Sequence, residues 1–161
     1  MTLSIVDSTE DHVLELIDTL READVQELTA LGMDPGHALV HSFHTSAGMR
    51  FTALNEEDQV ICMFGVGSET FLSTWGVPWL LASELLDGGT AMRLCRRCRG
   101  FIQIMAGRFD LLINFVDARQ ETAIRWLEWL GFEIGEAEPY GPEGLPFHRF
   151  EMRREICAEQ Q

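Results

Sequence analysis

The chain has 161 residues, enough for one domain with a sizeable core, and 46% of them are hydrophobic, which argues against disorder. Its formal net charge of −14 argues against a general nucleic-acid binder, because attraction to phosphate needs surplus positive charge. No apolar run is long enough to span a bilayer and no signal peptide is visible, so we expect no membrane partner and reduced cysteines in a cytosol.

The charge is unevenly distributed along the chain. Residues 1–34 contain nine acidic side chains and one arginine, whereas residues 88–109 contain five arginines and no acid. An acidic surface with one basic stripe suits a small anionic ligand or a basic protein partner. The arginines Arg93, Arg96 and Arg97 are candidates for such a binding role, and a plain solvated helix face is the alternative that we favour.

The first third of the chain is predicted to contain a strand and then helices. The strand is expected at residues 3–6, and Ser8 is predicted to cap the helix that follows. Residues 21–31 are interpreted as a second helix or as a bent extension of the first. Asp34 and Pro35 then have the pattern of an N-cap and first helical position.

Six further strands and two helices are predicted downstream. The strands are expected at residues 50–54, 60–66, 71–75 with 77–82, 111–116, 132–137 and 147–153, and the helices at 90–107 and 119–130. The resulting order, β-α-α-β-β-β-α-β-α-β-β over residues 1–161, is that of a single mixed α/β domain.

The helix at residues 119–130 carries an informative pattern. It contains Ala123 and ends in Gly131-Phe132, and an almost fully apolar strand precedes it. Together with the element order, this pattern resembles the GNAT N-acetyltransferase fold. The resemblance implies a central mixed sheet flanked by helices and splayed beside its fourth strand, with acetyl-CoA as the acyl donor.

Two positions of the same helix differ from the GNAT pattern. Aligned without gaps on Ala123 and Gly131, the position of the family's asparagine is Gln120 and that of its tyrosine is Leu127. In the family the tyrosine protonates the leaving thiolate of coenzyme A, and leucine has no proton to give. The resemblance therefore implies that Gln120 and Leu127 line the coenzyme A site, with a degenerate catalytic motif.

The resemblance also implies backbone contacts with coenzyme A. The fourth strand would hold the pantetheine arm as an added strand, and amides at the start of the next helix would face the pyrophosphate. The residues implied are Leu80, Leu81 and Ala82 for the arm, and Gly88, Gly89, Thr90 and Arg93 for the pyrophosphate. The acids Glu84 and Asp87 precede this helix and would repel phosphate.

A base is needed if the chain transfers acyl groups to amines. Asp117 is the favoured candidate, because the carboxyl end of a strand in such a sheet opens onto the ligand crevice. Glu69 and His148 are further candidates. The structural alternative for Asp117 is an N-terminal cap for the helix that follows, and we favour that alternative.

A narrower resemblance rests on Val77-Pro78-Trp79, the Ile-Arg-Trp-Leu run at residues 124–127, and residues 144–147. These resemble small GNAT-like proteins of short-tailed phages, a group that includes an internal virion protein. The resemblance implies a phage protein in the cytoplasm of an infected bacterium or inside a virion. Two functions follow: an acyl-CoA-dependent N-acetyltransferase that modifies an amine or a protein, or a non-catalytic protein that binds a host or virion protein.

Other chemical motifs have structural explanations that we favour. Trp126 and Trp129 are expected in the core and not against a ligand. The histidines at positions 37, 41 and 44 have helical spacing but lack an acidic co-ligand, and Cys95 and Cys98 lie within a predicted helix without a second pair. We therefore expect no metal.

Overall fold

One mixed sheet of seven strands, with five helices on its two faces, makes up residues 2–155, the part of the chain that the computed structural model describes. The fourth cysteine, Cys157, lies outside that part. In chain order the elements are β1 (Ser4–Asp7), α1 (Glu10–Thr19), α2 (Glu22–Ala30), α3 (Pro35–Thr45), β2 (Arg50–Leu54), β3 (Val60–Gly67), β4 (Trp75–Ala82), α4 (Gly88–Arg108), β5 (Leu111–Asp117), α5 (Glu121–Leu130), β6 (Glu133–Tyr140) and β7 (Leu145–Arg153). The predicted mixed α/β class is confirmed.

The sheet has the strand order β1-β2-β3-β4-β5-β7-β6, and β4 and β5 are its parallel pair. These two strands pair at Trp75 with Leu111 and at Gly76 with Leu112, and then diverge. Gly76 also packs closely against β3 and the end of α4, since a Cβ at this position would lie 2.5 Å from Val66 Cγ2 and 3.0 Å from Phe109 Cδ2. The expected splay beside the fourth strand is therefore present.

Three helices, not the two of the predicted element order, connect β1 to β2. The break between α1 and α2 falls where Leu20 bridges to Ser83 and the Arg21 N–H donates to the Ala82 carbonyl at 2.9 Å. These contacts with the end of β4 keep residues 20 and 21 out of a helical conformation. Of the two interpretations of residues 21–31, the separate second helix is therefore correct and the bent extension of the first is not.

Two local predictions are wrong. Thr9, not Ser8, caps α1: its Oγ1 accepts from the His12 N–H at 3.3 Å, and its own N–H donates to His12 Nδ1 at 3.2 Å. Ser8 is buried, with its Oγ 2.8 Å from Thr52 Oγ1, so its hydroxyl is engaged in the sheet. Residues 71–74 form a turn and not a strand.

Two apolar clusters, one on each face of the sheet, hold the helices in place. The cluster beneath α4 and α5 includes Phe64, Leu94, Cys98, Met105, Leu112, Phe132 and Phe150. The cluster beneath α1 and α3 includes Leu16, Leu39, Phe43, Val60 and Met63. Full burial of each large side chain stabilises the fold by about 1.5–3 kcal/mol. Within residues 2–155, none of the helices has the length and apolarity needed to cross a bilayer.

The tryptophans of α5 have different environments. Trp126 is half-buried and packs against the cluster beneath the helix. Trp129 is 44% exposed, so its predicted place in the core is wrong. The Arg99 guanidinium lies 3.9 Å from the Trp129 ring centre and donates to its carbonyl at 3.2 Å. A cation–π contact with α4 therefore takes the place of burial.

Candidate functional site

A cavity of about 650 Å³ opens where β4 and β5 diverge. Its walls come from both strands and from α2, α3 and α5, so it lies at the centre of the molecule. Asn114 of β5 spans the gap near its closed end, where its Nδ2 donates to the Pro78 carbonyl at 2.8 Å. Clefts of this size between elements are typical of small-molecule sites.

The backbone of β4 faces this cavity at one residue in particular. Ser83 donates its N–H to Ile61 of β3 at 2.9 Å, so by antiparallel alternation Leu81 also bonds to β3. Ala82 faces the other way, and its N–H donates to Asp24 Oδ2 at 2.8 Å.

Leu80 has the same orientation as Ala82 and as Pro78, whose carbonyl accepts a hydrogen bond from Asn114. Its N–H and carbonyl therefore point into the gap.

This alternation corrects part of the predicted pantetheine contact. Leu81 directs its backbone to β3, and both backbone groups of Ala82 are engaged by the junction of α1 and α2. Leu80 is the predicted residue whose backbone groups can pair with an extended ligand in the gap.

Glu27 of α2 lines the cavity, and sequence reasoning missed it. Burial raises the pKa of its carboxyl to about 7, with Asp24 and Asp117 adding to the rise and the Asp117 N–H and Arg21 opposing it. Its Oε1 accepts from the Asp117 N–H at 3.4 Å. A carboxyl with a pKa near neutrality in a cavity is suited to proton transfer.

Glu27 did carry a sequence signal. Arg21, Asp24 and Glu27 are spaced by three residues, which places them on one face of a helix. Asp24 is 5% exposed and accepts from Arg21 Nη2 at 2.9 Å, so this charged face is directed inward.

Asp117 lies at the end of β5 and is 1% exposed. Its Oδ2 accepts from Arg119 Nη2 at 2.6 Å, and its Oδ1 accepts from the Arg119 N–H at 2.9 Å. The hydrogen bonds from the Arg119 side chain are the largest cause of its lowered pKa. Such a carboxylate holds its charge and is a poor proton acceptor. The capping interpretation is also wrong, since Gln120 is the N-cap of α5 and makes no side-chain cap bond.

The remaining base candidates lie in different places. Glu69 is exposed and lies at the rim of the cavity. His148 lies on β7, with its Nδ1 2.8 Å from the Gly135 carbonyl oxygen of β6. Gln120 ties α5 to α2 by donating from Nε2 to the Ala23 carbonyl at 3.3 Å.

The residues of the predicted pyrophosphate contact lie at the start of α4. The helix begins at Gly88, so Gly88 and Gly89 lie in its first turn. Asp87 is the N-cap, and its side chain accepts from the Thr90 N–H at 2.7 Å. That bond is the main cause of its lowered pKa, and Arg93 contributes to the lowering. A carboxylate therefore already occupies the positive end of this helix.

Leu127 lies on the cavity wall, between the large cavity and a smaller one of about 90 Å³ beneath α4 and α5. Arg97, one of the candidate binding arginines, donates from Nη1 to the Leu3 carbonyl beside β1.

Within residues 2–155, no group of three or more His, Cys, Asp or Glu side chains is arranged to hold a metal ion. Cys95 and Cys98 lie on α4, and burial raises the pKa of their thiols to about 11 and about 12. Both thiols are therefore protonated at neutral pH.

No protein-family model and no curated protein matches this sequence. Solved structures do match it. A protein of Acinetobacter baylyi ADP1 with a provisional acetyltransferase assignment has 17% identity and a TM-score of 0.76, over 99% of this chain and 97% of that one.

Two further matches contain a ligand. A GNAT-superfamily phosphinothricin acetyltransferase of Sinorhizobium meliloti in complex with AcCoA has 16% identity and a TM-score of 0.72, over 100% and 93% of the two chains. A spermidine N-acetyltransferase of Vibrio cholerae in complex with CoA and spermine has 12% identity and a TM-score of 0.67, over 94% and 95%. The chain therefore has the GNAT acetyltransferase fold, as its sequence resemblance implied.

Proposed function

We propose that this chain is an acyl-CoA-dependent N-acyltransferase that acts on an amine. One observation carries the proposal: the outward backbone groups of Leu80 and the carboxyl of Glu27 meet at the same cavity. The first can orient a thioester and the second can accept a proton. Two of the structural matches bind CoA or AcCoA, and one of them binds spermine, which supports this chemistry for the shared fold.

The donor is placed in the gap between β4 and β5. The pantetheine arm runs along β4, and the Leu80 N–H donates to the thioester carbonyl as negative charge develops on its oxygen. Leu127 and Trp126 form the apolar wall beside the sulfur. The α4 end is a poorer fit, because the Asp87 carboxylate competes with the pyrophosphate for the Thr90 and Gly89 N–H groups and for the charge of Arg93.

The reaction uses one base and no protein acid. Glu27 accepts a proton from the cationic amine, the neutral nitrogen then attacks the thioester carbon, and the nitrogen gives up its second proton to solvent as the amide forms. The C–S bond then breaks, the amide forms, and the thiolate leaves. Leu127 cannot protonate this thiolate, so solvent supplies that proton. Asp117 stays ionised beside Arg119, and its charge adds to the rise in the Glu27 pKa that burial causes.

The second candidate is a non-catalytic phage protein that uses this scaffold to bind a host or virion protein. Asp87 at the start of α4 favours it, because a fixed carboxylate weakens phosphate binding there. Phage origin, and a location in infected bacterial cytoplasm or in a virion, stay predictions of the narrower sequence resemblance.

Calorimetry with acetyl-CoA and desulfo-CoA, followed by thiol release with an amine panel, separates the two functions. An acyltransferase binds both ligands and releases thiol only when an amine is present. Absence of heat at millimolar ligand overturns the enzyme proposal and leaves the non-catalytic one.

A further inference from the structure

The smaller cavity, of about 90 Å³, lies directly behind Leu80 on the α4 and α5 face of the sheet. The residues that line this cavity and not the large one are Phe64, Gly65, Cys98, Phe101, Ile102, Met105, Leu130 and Phe132. Its surface is apolar almost throughout. It adjoins the large cavity, because Leu80, Trp126 and Leu127 line both.

A cavity with this lining can bind an apolar group of a ligand. Protein interiors are close-packed, and voids larger than one water molecule are few in a domain. An apolar cavity stays dry and takes up hydrocarbon: one of about 150 Å³ binds benzene, which has six carbons. By proportion, a cavity of about 90 Å³ takes roughly three or four carbons.

The two cavities differ in chemistry on either side of Leu80. The large cavity carries Glu27 and Glu69, so it suits a cationic amine. The small cavity offers nothing that a charged group can bind. A thioester whose carbonyl accepts from the Leu80 N–H can direct its acyl chain into the small cavity while the amine approaches from the side of Glu27. An acetyl group would leave most of the small cavity empty.

We propose that the 90 Å³ cavity is an acyl-chain subsite, and that the preferred donor is a thioester with a linear acyl chain of four or five carbons, the carbonyl carbon included. This inference rests on the proposed acyltransferase function. The reaction is unchanged: Glu27 takes one amine proton, the nitrogen bonds to the acyl carbon, the C–S bond breaks, and solvent takes the second amine proton and protonates the thiolate. Chain length alone is set by the new subsite.

Chain-length preference tests the subsite directly. Initial rates of thiol release are compared for acetyl-, butanoyl- and hexanoyl-CoA with one amine, and the binding of the same thioesters is measured by calorimetry. Burial of each additional methylene should raise the affinity for the thioester about fourfold. Butanoyl-CoA has two more methylenes than acetyl-CoA, so it should exceed acetyl-CoA by about fifteenfold in kcat/KM or in affinity.

Ile102→Phe fills the cavity from α4, and Ile104→Phe is its matched control, since Ile104 is 60% exposed on the same helix. The first variant should lose the butanoyl preference at least tenfold and keep acetyl-CoA within threefold, whereas the control keeps the wild-type preference. Cys98→Met fills the same space with a more flexible side chain and should act in the same direction.

Each outcome separates the two proposals. Tighter binding of butanoyl-CoA that Ile102→Phe removes, without turnover, supports the subsite and overturns the catalysis. Turnover with acetyl-CoA preferred, and unaffected by either filling variant, overturns the subsite and leaves the catalysis. If none of the thioesters binds, both are overturned.

Discussion

Glu27 lies on α2, yet its carboxyl faces the central cavity and not solvent. The free energy of transferring a carboxylate out of water explains the raised pKa, and the neighbouring Asp24 and Asp117 add to it. Arg21 and the Asp117 N–H compensate in part. A group with this environment is protonated in about half of the molecules near pH 7.

Glu27→Gln removes the proposed base. We expect kcat to fall by about 10²–10⁴-fold with acyl-CoA affinity unchanged. In the wild type kcat/KM should rise about tenfold per pH unit below pH 7 and level off above it, because the base works only when deprotonated. In the Glu27→Gln variant, kcat/KM should no longer rise with pH below pH 7. Glu128→Gln, the same change at an exposed position of α5, is the control.

The paired carboxylate of Asp117 makes a stability prediction. Arg119→Met leaves the buried Asp117 carboxylate with fewer hydrogen bonds, and we expect a larger loss in the free energy of unfolding at pH 7 than removal of an exposed ion pair causes. Because the Asp117 pKa is lowered on folding, its contribution is present at neutral pH and disappears as the pH falls through that pKa.

Urea denaturation at pH 7 and at a series of lower pH values down to pH 2 measures this difference. Arg125→Met is the matched control, since Arg125 and Glu121 form an exposed pair at 3.6 Å that is worth at most about 0.5 kcal/mol. Equal losses for the two variants would contradict the assigned role of Arg119.

At the scale of the elements, the start of α4 is where acyl-CoA binding is most easily altered. Asp87→Asn keeps a side chain that caps a helix equally well and removes its charge. We expect the affinity for coenzyme A to rise by about three- to tenfold at low salt, because the repulsion of phosphate is lost. Calorimetry and a melting curve separate the effect on binding from any effect on stability.

Asp34→Asn provides the comparison for that change. Asp34 is the N-cap of α3, and its side chain accepts from the His37 N–H at 2.9 Å. Asp34→Asn therefore removes the same charge from the same helix position as Asp87→Asn, but on α3 and not on α4. An equal gain in affinity in this variant would assign the effect to net charge and not to the α4 terminus.

Elements with their own periodicity were predictable and those set by distant contacts were not. The strand at residues 50–54 matches its predicted bounds, and the helix predicted at residues 119–130 ends where expected but begins at Glu121. The helix break at residues 20 and 21 depends on bonds with Ser83 and Ala82, which no local pattern encodes. The same holds for the candidate site. The sequence resemblance implied that Leu80 and Leu127 lie near the gap, and both line the cavity there. The environment of Glu27 could not be predicted, because it depends on burial by other elements.

At the scale of the whole molecule, a net charge of −14 surrounds a cavity that carries acidic groups. Such a field attracts cationic acceptors and is screened by salt beyond about 10 Å at 0.1 M. We expect kcat/KM for a diamine acceptor to fall by about three- to tenfold between 20 and 500 mM NaCl. A monoamine of equal length should fall less, and equal slopes for the two amines would argue against steering.

The close contact of β4 and β5 at Gly76 has a geometric consequence. Two strands that touch at one end and separate at the other form a slot with a fixed floor, and the Asn114 bond to Pro78 stands just above that floor. A chain entering from the open end cannot pass through, so its penetration is measured from a constant origin. The paired end of the two strands therefore sets how far a ligand chain can enter, and a side chain larger than glycine at position 76 would displace Val66 and Phe109, which pack against that end.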